Sequence, residues 1–555
     1  MSTHLFRGGA IRTMDPANPL AEAVVVEGSQ ITYVGTEAGA SDRLPETFEV
    51  IDLAGGLLLP GFIDAHDHLA TMGIGKLGVD LGTQPDLEAI LECIRSYVAA
   101  HPGQRVYRGF GWLPSAFPNR SPRREWLDQI TGDVPMIVNS ADFHDLWFNT
   151  AAMVAAGITA STPDPEVNQY YVRDPDGSPT GHAVEAAAAL PIMMTLGTFS
   201  LETIREAQAF TLDRAPSYGI TTYFEAGVGA GTTSSDAEPV YADLIERDNA
   251  GILNVRIAGT YWTRSESDGI QAVTGALADW HTRLRSDHLS IAHCKMWADG
   301  TLFSGGALLL QPTCGPHGTV GRMTFSADYI AAQIKAVQEA GFDMHIHVDA
   351  DGSVHEVLNA IERVQGEIGR GQSRHTIAHN SLVAPSDIPR FKELGVIANC
   401  TPLWGTDYRG LYAKVYTELL GAARVEERVM PYGDLVRSGA VVTYGADLPG
   451  VDVDEVPPLI QIEAAVTRKR PGYPDDLVFV PRQRVGLEDA LRAYTINGAY
   501  QLRMEDRIGS IEVGKQADLV VLGSDLFDVE PAAIHRVPVV LTMMDGRVTY
   551  SAPWI

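Results

Sequence analysis

A chain of 555 residues is longer than one hydrophobic core can serve, so two or three domains are expected. Acidic side chains outnumber basic ones, 70 to 42, for a formal net charge of -28, which argues against nucleic acid or an anionic membrane surface as partner, since both demand basic patches. Cys93, Cys294, Cys314 and Cys400 stand far apart with no C-x-x-C pair, a pattern that speaks against a disulfide framework or zinc ribbon and suits a reducing, cytoplasmic setting.

The first 60 residues read as short strands and turns. "AEAVVVEGSQITYVGTE" holds two β-rich runs joined at Glu27-Gly28-Ser29-Gln30, a hairpin pattern. "MSTHLFRGGAIRTMDP" has no apolar core of signal-peptide length, and nowhere do about 18 apolar residues run uninterrupted. The far end has the same β-rich texture, with Asp545-Gly546 as a turn signal. A small β-sandwich domain built from both termini, residues 1–60 plus 500–555, is therefore expected.

Between these ends, short apolar runs alternate with amphipathic helical patterns. "LLLPGFIDAHDHL" comes first, then "YGITTYFEAG", "ILNVRIAGTYW", "LSIAHCKMWADG", "FDMHIHVDADG", "SRHTIAHNS", "LGVIANCTP" and "GAVVTYGADLP". Helical stretches such as "ADYIAAQIKAVQEAG" lie between several of them. Repeated βα units argue for parallel strands with helical crossovers, and eight of them predict an α/β fold, a (β/α)8 TIM-like barrel over residues 61–499. The long gap after the first strand predicts an inserted subdomain at about 75–210. It includes "GFGWLPSAFPNRSPRREW" and "AVEAAAALPIMM". Insertions at that rim shape substrate pockets.

Several candidate strands close on a residue that can bind metal or carry protons: His66 and His68, Lys295, His347, His379 and Asp447. In a strand, residues i and i+2 share a face, so His66 and His68 point the same way, toward the carboxyl-end mouth where barrel active sites lie. Nitrogen ligands so arranged suit zinc and similar metals. A lysine buried beside a dication loses basicity, and its neutral amine can add carbon dioxide to give a bridging carbamate. Asp447 can take a proton from an activated water and deliver it to a leaving group.

Taken together, "GFIDAHDHL", the later histidine-bearing strands, the "GAD" ending at residue 447 and the tail "GSIEVGKQADLVVL" resemble the amidohydrolase superfamily. "KMWADGTLFSGGALL", "HIHVDADGSVHEVLNAIE" and "DFHDLWFNTAAM" look like the family 3 branch that includes N-substituted formamide deformylase. The resemblance implies two divalent metals, zinc by expectation. His66 and His68 would hold one, His347 and His379 the second, with an N-carboxylated Lys295 as bridge and Asp447 both touching the first metal and acting as acid/base. One departure stands in the fifth strand, "HIHVDADG", where His345 shares a face with His347 and is an alternative ligand.

Residues placed in the substrate pocket are His144, Trp112, Trp404 and Tyr408. His293 reads as a packed neighbour, Cys294 as a core thiol, and Glu185 and Glu225 as salt-bridged or solvated acids. The expected activity is hydrolysis of a C–N bond in a small amide-type molecule. A mononuclear deaminase of a cyclic or aromatic amine and a non-catalytic metal-binding relative are the alternatives. Dimerisation is common in the superfamily and so is an expectation here.

Overall fold

The computed structural model describes residues 2–69, 78–82, 84–141, 144–165, 168–198, 200–228, 234–315, 318–447, 451 and 453–553. Among them the strands fall into three sheets.

The central sheet is the barrel. Its eight parallel strands are β1 (Phe62–Asp67), β2 (Ile220–Glu225), β3 (Arg256–Thr263), β4 (Leu289–Trp297), β5 (Asp343–Val348), β6 (Thr376–His379), β7 (Ile397–Cys400) and β8 (Val442–Tyr444), hydrogen-bonded in that order. Each corresponds to one of the apolar runs expected from the sequence. Most of their residues are buried on both faces, which is why they read as nearly continuous apolar stretches instead of alternating ones.

Crossover helices cover the outside. The helix Ala327–Glu339 starts where the Ser326 side chain accepts the Tyr329 N–H, and it buries Ile330, Ile334 and Val337 at helical spacing.

The end of β8 is drawn against β1 by Gly445. A Cβ there would lie 2.5 Å from both the His66 nitrogen and its carbonyl oxygen, so only glycine permits the approach. The Asp447 N–H then donates to the His66 carbonyl at 2.9 Å. This contact brings the last strand to the first and sets Asp447 over the mouth.

Strands from both ends of the chain share a second sheet, ordered Arg547–Ser551, Val539–Met544, Leu519–Leu522, Leu57–Pro60, Thr3–Arg12, Leu20–Glu27, Gln30–Gly35, with Glu49–Asp52 also paired to Thr3–Arg12. Both turns read from sequence connect antiparallel neighbours, Glu27 opposite Gln30 and Met544 opposite Arg547. Leu57–Pro60 runs almost directly into β1, and the buried Arg256–Asp518 pair at 3.2 Å ties β3 to this sheet.

Between β1 and β2, residues 79–184 carry a separate six-stranded sheet. Trp112, Phe117, Trp126 and Trp147 pack edge-to-face and stacked within its own hydrophobic cluster. The aromatic-rich stretch builds a core here. Trp112 is wholly buried and its Nε1 donates to the Val138 carbonyl at 2.9 Å. It belongs to that core, which corrects its expected place in the substrate pocket.

Candidate metal centre

The carboxyl end of β1 supplies two imidazoles, each with one nitrogen engaged by the protein. His68 Nδ1 donates to the Gly227 carbonyl at 2.8 Å, and His66 Nδ1 lies 2.9 Å from His345 Nε2. Their Nε2 atoms face Asp447 Oδ1, at 3.3 Å from His66 and 3.5 Å from His68. Engaging one ring nitrogen so that the other is presented outward is how proteins orient imidazole ligands.

Lys295, near the end of β4, places Nζ 3.4 Å from His66 Nε2. Burial draws its ammonium down to about 7, with Asp447 and Glu225 working in the opposite direction.

The two histidines of β5 share a face but lie at different depths. His347 is at the mouth, its ring 4.4 Å from that of His379. His345 lies one layer deeper, packed between His66 at 4.7 Å and Phe224 at 4.6 Å. His379, which ends β6, brings Nδ1 to 3.3 Å from Asp447 Oδ2. The structure thus gathers His66, His68, Lys295, His347, His379 and Asp447 at one rim.

These groups fit a metal. Ligand atoms of His66, His379 and Asp447 all lie within 4.8 Å of one another. His347 Nε2 and both ring nitrogens of His379 are buried without a hydrogen-bond partner, a costly state that a cation would relieve. Burial, followed by repulsion from neighbouring imidazoles and Lys295, holds His66, His347 and His379 well below the ordinary histidine range and so in the neutral form that binds metal. Burial also raises Asp447, against the pull of His68, Lys295 and His144. Asp64, beneath the site, accepts the His66 and Ala446 N–H groups and is pushed up to about 8 by burial.

The backbone is strained at the same place. His379, Asn380 and Asp447 have φ of 77°, 53° and 54°, the left-handed region that residues with side chains avoid.

Other residues divide clearly. His293 Nε2 donates to the Gln501 carbonyl at 3.2 Å and packs on Phe224, and Cys294 is in the core. Trp404 stacks on His379 at 5.6 Å, beside the centre. Tyr408 is buried, with its hydroxyl donating to Glu455 at 2.7 Å, and is a packing residue of that loop rather than a wall of the site.

Four residues that border the centre were not picked out as site residues from the sequence. Glu225 ends β2 with Oε1 3.8 Å from His68 Nδ1, and the strand-end rule that singled out the others could have found it. Asp299 Oδ1 is 3.9 Å from His347 Nε2. Glu185 and Trp297 gather around His144, whose Nδ1 is 2.6 Å from Glu185 Oε2 and whose ring stacks on Trp297 at 5.0 Å. A cavity of about 290 Å³ begins here, bounded by Trp262, Trp297, Arg264, Glu185, Asp299 and Leu190.

A parallel barrel with histidine, lysine and aspartate converging at the carboxyl ends of its strands defines a metal-dependent hydrolase. The chain belongs to the Amidohydrolase family, whose pattern it matches over residues 49–550. It is 26% identical to an N-substituted formamide deformylase of Arthrobacter pascens over 97% of each protein. To the putative amidohydrolase YtcJ of Bacillus subtilis it is likewise 26% identical, over 98% of this chain and 99% of the other. Its fold is shared with an uncharacterized metal-dependent hydrolase of Pyrococcus horikoshii, with a TM-score of 0.70 and 21% identity over 96% of this chain and 99% of that one.

Proposed function

We propose that this hydrolase holds two zinc ions and cleaves the C–N bond of a small amide-type substrate. The observation that carries the reading is the convergence of four imidazoles, Lys295 and Asp447 at the mouth, with buried nitrogens of His347 and His379 left unsatisfied. His66, His68 and Asp447 would hold one ion, and His347 and His379 the other. Lys295 would bridge them as a carbamate: its neutral amine forms an N–C bond to carbon dioxide and loses a proton, leaving an anionic pair of oxygens. A lysine drawn down to about 7 has the neutral form available near neutral pH.

When bound, the ions supply an acidified water and a polarised carbonyl. Asp447 takes the proton from the attacking water and delivers it to the departing nitrogen. Its two carboxylate oxygens face different imidazoles, Oδ1 toward His66 and His68 and Oδ2 toward His379. The cavity bounded by Trp262 and Trp297 would take the organic arm of the substrate and shield the reacting group from bulk water. The relative named an N-substituted formamide deformylase supports an amide as the substrate class.

Metal analysis of Lys295→Ala tests the bridge. We expect bound zinc to fall from about two ions per chain to about one, and turnover of N-formyl and N-acyl amines to fall about 10³-fold or more. Unchanged metal content would sink the binuclear reading and favour a mononuclear deaminase, which has no use for the lysine.

A further inference from the structure

β1 and β2 run side by side to their ends, with Glu225 opposite Asp67. Beyond that pair the Ala226 N–H still reaches the Asp67 carbonyl at 2.8 Å, and then the chain turns. Gly227 has a φ of +153°, a value that residues with side chains rarely adopt. A Cβ there would make only ordinary contacts, 3.6 Å from Lys295 Cγ and 3.7 Å from His68 Cε1, so the backbone angle and not space calls for glycine. The turn carries the Gly227 carbonyl to His68 Nδ1, 2.8 Å away.

Glu225 closes this turn. Its Oε1 accepts the Gly227 N–H at 3.2 Å, so Gly227 is gripped at its nitrogen by Glu225 and at its carbonyl by His68. The carboxylate itself is poorly served: the side chain is wholly buried, and Oε2 has no hydrogen-bond partner. Burying an acceptor in that state costs stability, so the fold alone does not explain the residue. Oε1 stands 3.8 Å from His68 Nδ1, beyond hydrogen-bond reach, and its hold on the imidazole therefore passes through Gly227.

We propose that Glu225 is a positioning residue that acts through Gly227: it fixes the carbonyl to which His68 Nδ1 donates, and so makes Nε2 the nitrogen that His68 gives to the metal. The inference rests on the metal-centre reading above. An imidazole that donates Nδ1–H to a carbonyl carries its lone pair on Nε2. Without that carbonyl the ring can rotate and take the other tautomer, and the ion held by His66, His68 and Asp447 loses an oriented ligand. His347 and His379 serve the second ion, which the turn does not touch.

Zinc titration of the metal-free protein against a competing chelator reads the effect. Glu225→Ala should weaken one ion by about 10–100-fold and leave the other close to its wild-type affinity. Glu225→Gln, which still offers an oxygen to the Gly227 N–H, should keep both. Gly227→Ala strains the turn without altering Glu225 and should weaken the same single ion. Imidazole nitrogen NMR of the metal-free protein should show His68 protonated at Nδ1 in wild type and in Glu225→Gln, and a mixture of tautomers in Glu225→Ala. Tm of the metal-free variants should stay near the wild-type value. If Glu225→Gln is as weak as Glu225→Ala, the effect lies in the charge that Glu225 exerts on Lys295, and the inference falls. It falls too if Glu225→Ala binds both ions at wild-type strength, or loses both together with a drop in Tm. Wild-type protein that takes up no zinc overturns both readings.

Discussion

His379 ends the four-residue strand β6 and His375 stands immediately before its first residue, and the two teach opposite lessons. Both are buried, and burial holds both below the ordinary histidine range, His375 at about 4. His375 has both nitrogens satisfied: Nδ1 accepts the Met344 N–H at 3.1 Å and Nε2 donates to Gln338 Oε1 at 3.1 Å. His379 has neither satisfied, stands in left-handed backbone, and faces His347, His66 and Asp447. Depressed basicity is common to the two, so it does not distinguish a ligand from a structural residue. Convergence of unsatisfied donors does.

The sharpest way to break this contrast is to truncate each residue in turn. His379→Ala should lower kcat by about 10³-fold or more with loss of bound metal, while the apo-protein keeps its Tm. His375→Ala should keep its metal but lose about 1–3 kcal/mol of stability, because the Met344 N–H is left buried and unpaired. The reverse pattern, read by metal analysis and thermal denaturation, would dismiss the comparison.

Acid titration sharpens it further. His375 is neutral in the fold but protonates with a value near 6.5 in the unfolded chain, so unfolding takes up a proton between those limits. Its contribution is whole above about pH 6.5 and is lost as the pH falls toward about 4, a swing of at most about 3 kcal/mol. His375→Asn keeps an acceptor for Met344 without the titration. Denaturant unfolding from pH 7 to pH 4 should therefore show a shallower decline than wild type, and identical slopes would refute the assignment.

The barrel was legible because parallel strands buried on both faces leave apolar runs, and because crossover helices such as 327–339 repeat at helical spacing. The strand-end polar residues were legible for the same reason, since the fold forces whatever ends those runs onto one rim. The long gap after the first strand marked an insertion, but the packing inside it was not legible. Trp112 and Trp126 carry the same signal in sequence whether they face substrate or one another, and only packing shows that they meet Phe117 and Trp147. The contact of His144 with Glu185 spans 41 positions with no repeating pattern to announce it.

The choice between His345 and His347 was hidden for a different reason: residues two apart share a face, but about 6–7 Å of depth separates them along the strand. That depth makes the smallest and most discriminating prediction. His345 Nε2 meets His66 Nδ1 at 2.9 Å, behind the ring nitrogen that faces Asp447 and Lys295. Its part is to hold His66, as a hydrogen-bonded partner holds a metal ligand, and such partners are worth about 10–100-fold in metal affinity. His345→Ala should therefore weaken binding by about that factor, with full activity recovered at high zinc. His347→Ala, at the mouth beside His379, should lose a metal that excess zinc does not restore. If zinc rescues His347→Ala and not His345→Ala, the deeper histidine is the ligand and the roles along β5 must be exchanged.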